Sequence, residues 1–357
     1  MKVQINKKEV DMKILFIGSN PKNIGGIETF GRNLKKIFSD NILFFSYERQ
    51  NTGIYDVSDV FEFKKKKYHP KFLRKKIQNY TEKKYLKEVI EKIKPTIFIL
   101  NTPQDLKLLD GIEGKKILVQ HRTASQYWET DSYFNKENNL LERVKKEVDK
   151  IVTLSPYDKE KFIKKFILDE KKVISIRHMS EISEFKTKKL KTKKLVIISR
   201  ITNSKRIDLA IKAMCKLSDY ELNIYGDGPD KSILERLVKK LTLKNIKFYG
   251  ITDKVKEKLD ENSIFIMTSN HEGYPLTTIE AMRRGLPLIL RDTFTSAKDI
   301  INGNGILLEK EWDENKFIEG IEKIYNNYEE YSKKSVEMGK RHSYEVIKKE
   351  WKTLLEN

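Results

Sequence analysis

Apolar residues alternate between two spacings along the chain. Short unbroken runs at Lys13–Ile17, Ile42–Ser46, Ile97–Leu100, Lys116–Gln120, Ile151–Leu154 and Val173–Ile176 read as strands buried on both faces. Between them apolar positions recur at helical spacing, as in Ile27, Phe30, Leu34, Ile37 and Phe38. Strands alternating with helices predict a doubly wound parallel sheet. From Phe185 to Lys194 the sequence FKTKKLKTKK has no apolar period and reads as a linker. The strand–helix alternation then restarts with LVIIS and continues through ELNIY, IKFYG, IFIM and ILLE. The pattern predicts two Rossmann-like domains, 1–184 and 195–340, with 185–194 joining them. A terminal amphipathic helix, with Tyr344, Val346, Ile347, Trp351 and Leu354 on one side, lies within 341–357.

Candidate chemistry concentrates in SIFIMTSNHEGYPLTTIEAMRRGLPLIL, Ser263 to Leu290. The run Ile264–Met267 is a strand, and Gly273 and Pro275 break the loop after it. A helix is expected from Thr277 or Thr278, closed by Gly285 before the next strand at Pro287. Glu272 then sits on the loop and Glu280 in the first helical turn, both at the carboxyl edge of the sheet, where open α/β sheets bind ligands. A helix N-terminus beside two acids suits a ligand carrying both phosphate and hydroxyl groups, such as a sugar nucleotide. Thr277-Thr278-Ile279-Glu280 also has capping-box spacing, in which Glu280 merely bonds a backbone N–H.

Other strand ends carry further candidates. Arg200 ends the strand LVIIS, and Lys205 follows five positions later. Together they can clamp a diphosphate, Arg as a planar fork and Lys as a point charge; the alternative is two more basic residues in a basic chain. Gln120-His121-Arg122 ends another strand. A lone histidine there is either a hydrogen-bonded structural residue or part of the site lining. Gly25-Gly26 opens the first helix without a G-x-G-x-x-G fingerprint, and reads as a turn or as a close approach to a ligand. Gly226-x-Gly228-Pro229 marks another turn after a strand. The aromatic, polar stretch RTASQYWETDSYF is a candidate acceptor surface.

Composition adds charge and compartment. With 72 basic and 52 acidic residues the net charge is +20, which attracts phosphates, acidic lipid headgroups or nucleic acid. Lysine crowds the stretch from Lys64 to Lys94, either as a solvated helix face or as a patch for an anionic membrane surface. The basic residues are spread along the chain without a recognised binding module, so no nucleic acid partner is expected. The one cysteine, Cys215, lies in a helix-like run and is expected in the core. It cannot form an intrachain disulfide, which fits a reducing compartment. No apolar run reaches the length of a membrane span, and the start lacks a signal-peptide core. A cytoplasmic protein, peripheral on the inner membrane face at most, is expected.

The sequence E-G-Y-P-L-T-T-I-E-A-M-x-x-G-L-P resembles the E-x7-E signature of family 4 glycosyltransferases, retaining enzymes of the GT-B fold. Ser199-Arg200 with Lys205-Arg206 is similar to that family's G-R-x-x-x-x-K-G, with Arg206 in place of the glycine. The resemblance covers the carboxyl half strongly and the amino half weakly. It implies two Rossmann-like domains facing a central cleft, with the terminal helix crossing back to the first domain. It also implies a hexosyl transfer from a UDP-sugar or related nucleotide sugar to a carbohydrate or lipid-linked glycan, with retention. The product would be a bacterial surface polysaccharide or teichoic acid. Glu272 would face the sugar, His121 would hydrogen-bond it, and Glu280 would bind the ribose. Arg200 and Lys205 would hold the diphosphate with the backbone of Gly273, Tyr274, Pro275, Leu276 and Thr277, and Gly26 would lie near the donor phosphates. No Asp-x-Asp pair occurs, which agrees with a reaction that needs no metal or other cofactor. A GT-B sugar-nucleotide epimerase shares this donor site, a glycoside hydrolase also uses paired acids, and charge alone suggests a nucleic-acid binder.

Overall fold

The computed structural model describes residues 12–47, 55–63, 71–123, 139–186 and 190–356. It forms two compact units, Met1–Thr153 with Phe162–Ile174, and Leu154–Lys161 with Ser175–Asn357. Residues 154–161 and 175–184, read from sequence with the first domain, are part of the second unit, as is the helix Tyr344–Glu356. That helix buries Ile347, Trp351 and Leu354.

The first unit is built on a parallel sheet of seven strands: β1 Ile14–Gly18, β2 Ile42–Ser46, β3 Val60–Glu62, β4 Ile97–Leu100, β5 Lys115–Gln120, β6 Lys150–Thr153 and β7 Val173–Ser175. Their spatial order is β3-β2-β1-β4-β5-β6-β7. The strands β1 and β4 are wholly buried, as their unbroken apolar sequences require of strands covered on both faces. The helix Lys71–Ile93 packs Leu86, Val89 and Ile93 into this core with Leu15, Ile17, Phe98 and Leu118. The rest of the lysine-rich stretch, 64–70, lies outside the described residues, as do 124–134 of the candidate acceptor surface and 187–189 of the linker.

The second unit has six parallel strands: β8 Lys194–Ile198, β9 Glu221–Tyr225, β10 Ile246–Gly250, β11 Ile264–Met267, β12 Leu288–Arg291 and β13 Gly305–Leu308. Their order is β10-β9-β8-β11-β12-β13. Both sheets therefore reverse winding direction once, between β1 and β4 and between β8 and β11. Loops leaving the strands on either side of such a reversal diverge and leave a crevice at the carboxyl edge. Two Rossmann-like parallel sheets are the fold class that the GT-B resemblance implies.

Three local expectations are corrected. The helix after β11 begins at Leu276 rather than Thr277 or Thr278, with Pro275 as N-cap. No side chain caps it, so Glu280 is not part of a capping box; the Thr278 hydroxyl instead donates back to the Pro275 carbonyl at 2.6 Å. Cys215 is exposed, because the helix Ile207–Ala213 gives way to a tighter turn, Met214–Lys216, that swings it outward. Among the described residues, no helix is long and apolar enough to cross a membrane.

Candidate active site

In the second unit the loops after β8 and β11 flank the winding reversal, and hydrogen bonds tie them to each other at their base. The Thr268 hydroxyl donates to the carbonyls of Lys205 (3.0 Å) and Arg206 (2.9 Å), and the Asn270 N–H donates to the Ser204 carbonyl (2.8 Å). These bonds place Lys205 Nζ 2.5 Å from Glu272 Oε1, with the two side chains 21% and 12% exposed. A pair so shielded from water interacts more strongly than a surface pair. Arg206 occupies the left-handed region (φ 48°, ψ 39°), which costs a side chain roughly 1–2 kcal/mol. That backbone conformation is the one a glycine at this position would take freely, so the arginine leaves the loop shape intact. Its guanidinium is held by Asp208 through bonds of 3.0 and 3.2 Å.

Arg200 stands two residues past β8, exposed, with no ion pair among the described residues. Its backbone is fixed by the glycine turn after β9. Gly226 has φ +133°, and a Cβ there would sit 1.9 Å from the Ser199 carbonyl oxygen; one on Gly228 would sit 2.1 Å from that of Ile201. Neither position admits a side chain without moving the strand end that carries Arg200. Gly228→Ala is therefore expected to displace that strand end and destabilise the second unit, measured as a lower Tm by calorimetry.

Glu280 lies half-buried on the helix Leu276–Arg283, and its carboxylate has no hydrogen-bond or ion-pair partner among the described residues. Burial pushes it up to about 7. A carboxyl so placed can accept hydrogen bonds from donors that approach it. Leu276 and Thr277 are half-buried at the uncapped helix start. Gly273 is anchored from behind, its carbonyl accepting the Ser296 hydroxyl at 2.5 Å.

The Tyr274 ring points into the unit, which leaves its backbone, the part expected to meet a ligand, to the loop. Its hydroxyl donates to Asp299 Oδ2 at 3.0 Å and lies 3.3 Å from His342 Nε2. Asp299 in turn takes a bidentate pair from Arg177, at 2.7 and 2.8 Å. Burial pushes the Tyr274 phenol up, and the neighbouring Asp299 charge pushes it further.

Arg291 went unnoticed in the sequence although it ends an otherwise apolar strand. Buried at 6% exposure, it donates to the carbonyls of Thr268 (3.0 Å) and Lys310 (2.6 Å) and to Asn270 Oδ1 (3.0 Å). The Thr293 hydroxyl adds a bond to the Ser269 carbonyl at 2.6 Å. The loop carrying Glu272 is thus fixed from β12 as well as from β8.

In the first unit, Gly26 starts the helix Gly26–Phe38, exposed and with open space where a Cβ would go. His121 follows β5, its Nε2 2.9 Å from Asn101 Oδ1, with Phe30 packed edge-on at 4.9 Å. Each unit therefore carries its candidates at the carboxyl edge of its own sheet.

Residues 179–342 match the family of glycosyl transferases, group 1. An uncharacterized glycosyltransferase of Haemophilus influenzae is 30% identical over 244 residues, 64% of this chain and 68% of that protein. The chain belongs to the glycosyltransferases. The poly(ribitol-phosphate) alpha-N-acetylglucosaminyltransferase of Staphylococcus aureus is 26% identical over 293 residues; this glycosyltransferase spans 57% of that enzyme's length. Among solved structures, Anabaena HepE in complex with UDP and glucose superposes with TM-score 0.78 at 14% identity, covering 97% of this chain and 100% of that one. That likeness shows the GT-B fold of the glycosyltransferase, with its two parallel-sheet units.

Proposed function

We propose that this glycosyltransferase moves a hexosyl unit from a UDP-sugar to a hydroxyl of a carbohydrate or lipid-linked glycan, with retention, as family 4 enzymes do. The observation that carries the reading is the shielded Lys205–Glu272 pair at the winding reversal of the second sheet, with Arg200 exposed nearby and Glu280 unpartnered. Support for a UDP donor comes from HepE, and for a surface-polymer acceptor from the ribitol-phosphate transferase. The product is accordingly a surface polysaccharide or teichoic acid, made by a cytoplasmic enzyme at the inner face of the membrane.

Breaking the sugar–phosphate bond leaves negative charge on the diphosphate and positive character on the sugar ring. Arg200 and Lys205 meet the first, and the uncapped N–H groups of Leu276 and Thr277 at the helix start add to them. Each charge-assisted hydrogen bond is worth about 1.5–3 kcal/mol, so a few of them perform the charge neutralisation that other transferases assign to a metal ion. Glu272 faces the sugar, and its negative charge favours the cationic ring. Glu280 takes the ribose hydroxyls, and His121 a hydroxyl of the transferred sugar. The acceptor hydroxyl forms the new glycosidic bond on the face the diphosphate leaves, and the diphosphate takes its proton.

The test is turnover of a panel of nucleotide sugars, with and without glycan acceptors, and product anomers read by proton NMR. Acceptor-dependent transfer with the donor anomer kept supports the reading. Conversion of the donor without acceptor would instead indicate an epimerase.

Glu280 gives the proposal a pH signature. A free carboxyl near 7 is about half protonated at neutral pH. Ribose hydroxyls donate to the ionised form and stabilise it, so binding draws a proton off. Affinity for UDP-glucose, which has no phosphate ionisation near 7, therefore rises about tenfold from pH 6 to pH 8 and then levels. Calorimetric titrations at several pH values check this, and Glu280→Gln is expected to flatten the profile.

A further inference from the structure

The loop that carries Glu272 is clasped from Thr268 to Gly273 by one segment, the end of β12 and the residues just after it. Arg291 Nη1 donates to the Thr268 carbonyl and to Asn270 Oδ1, both at 3.0 Å. The Thr293 hydroxyl donates to the Ser269 carbonyl at 2.6 Å, and the Ser296 hydroxyl to the Gly273 carbonyl at 2.5 Å. These bonds hold the backbone on both sides of Glu272, whose carboxylate bonds to Lys205 instead.

Arg291 differs from the two hydroxyls in its reach. Its Nη2 donates to the Lys310 carbonyl, past the end of β13, at 2.6 Å. At the same level the Asp292 N–H donates to the Leu308 carbonyl at 2.8 Å. One guanidinium thus joins the carboxyl ends of β11, β12 and β13. All three of its acceptors are uncharged oxygens, and it is nearly enclosed by protein. A buried charge is a poor source of stability. What the arginine supplies is a planar fork with N–H groups at fixed angles, which the point charge of a lysine cannot reproduce.

We propose that Arg291 is a positioning residue for sugar transfer that acts through Glu272. Its fork fixes the backbone leading into the loop, so that the carboxylate stands at one place relative to the sugar ring. The inference rests on the reading that Glu272 faces the transferred sugar. The loop of Lys205 depends less on Arg291, because it has bonds of its own: the Lys205 N–H donates to the Thr202 carbonyl (2.9 Å) and the Arg206 N–H to that of Asn203 (3.1 Å). Loss of the fork therefore shows in kcat more than in KM.

The experiment is a double-mutant cycle on the full chain with Arg291→Lys and Glu272→Gln. It is read by steady-state kinetics with whichever of UDP-glucose, UDP-galactose and UDP-N-acetylglucosamine is turned over, and by backbone hydrogen–deuterium exchange. Arg291→Lys is expected to lower kcat about tenfold, with KM for the donor within about threefold. In the Glu272→Gln background the same change lowers kcat less than about twofold, because no carboxylate is left to misplace. An arginine with a purely structural role would lower turnover by the same factor in both backgrounds. Amides from Ser269 to Gly273 should exchange about tenfold faster in Arg291→Lys, while those of β8 and β9 keep their rates. Equal losses in the two backgrounds, wild-type turnover in Arg291→Lys, or unchanged exchange in the loop overturns the proposal. Should Arg291→Lys fail to fold, Asn270→Ala, which removes one acceptor at a half-buried position, is read in the same way, with about a threefold loss of kcat expected. Absence of transfer from every donor, or full turnover by Glu272→Gln, would break the functional reading of Glu272 instead, and the loop exchange would still score the proposal.

Discussion

Glu272→Gln is expected to reduce sugar transfer by about two to three orders of magnitude, the usual loss when one preorganised charge is removed from a transition state. The substitution keeps the shape of the side chain and a carbonyl oxygen for Lys205 Nζ, which now lies 2.5 Å from the carboxylate. The loop is still held by Thr268, Arg291 and Ser296, none of which contacts Glu272 itself. Loss of the charge should therefore appear in kcat rather than in folding. Steady-state kinetics with a UDP-sugar and its acceptor measure it; turnover within threefold of wild type would contradict the role given to Glu272.

The largest loss of stability should follow Asp299→Asn. Asp299 is 6% exposed and receives Arg177 at 2.7 Å and Tyr274 at 3.0 Å, with Arg341 3.6 Å away. Burial by itself would raise this carboxyl, yet the hydrogen bonds and charge of Arg177, with Arg341 behind them, hold it below the usual range. An asparagine leaves the half-buried Arg177 charge uncompensated, and breaking such a pair costs about 3–5 kcal/mol. For a unit of this size that corresponds to a fall in Tm of about 10 °C. Tyr274→Phe, which removes only a hydroxyl, should cost about 1 kcal/mol. Calorimetry of the two variants separates these values. A Tm within 2 °C of wild type in Asp299→Asn would mean the network adds nothing. Because Tyr274 directly precedes Pro275, the same network sets the loop between Glu272 and the helix start.

Strand positions were legible in the sequence because a parallel strand buried on both faces must be an unbroken apolar run. The exception, β3, is three half-buried residues at the sheet edge, too short and too polar to announce itself. The helix start after β11 was misplaced because two threonines and a glutamate imitate a capping box. In the structure Thr278 faces inward and caps nothing of its own helix. Lys205 and Glu272 could be named because each ends a strand or follows one closely. What the sequence could not show is what holds them. Arg291, Asn101 and Asp299 act on backbone carbonyls or on side chains far away in sequence, as with the 122 positions separating Arg177 from Asp299. Contacts of that kind leave no local spacing to read. Arg206 is the converse case, where an arginine stands in place of a family glycine and the backbone keeps the left-handed turn.

The central claim is that cationic side chains of the second unit grip a diphosphate, and binding tests it more directly than turnover. UDP and uridine should be titrated into the wild type, Arg200→Ala and Lys205→Ala. The account predicts that each substitution weakens UDP at least tenfold, about one charge-assisted hydrogen bond, while uridine affinity stays the same. Equal affinity of the wild type for UDP and uridine, or UDP binding untouched by both substitutions, would contradict it.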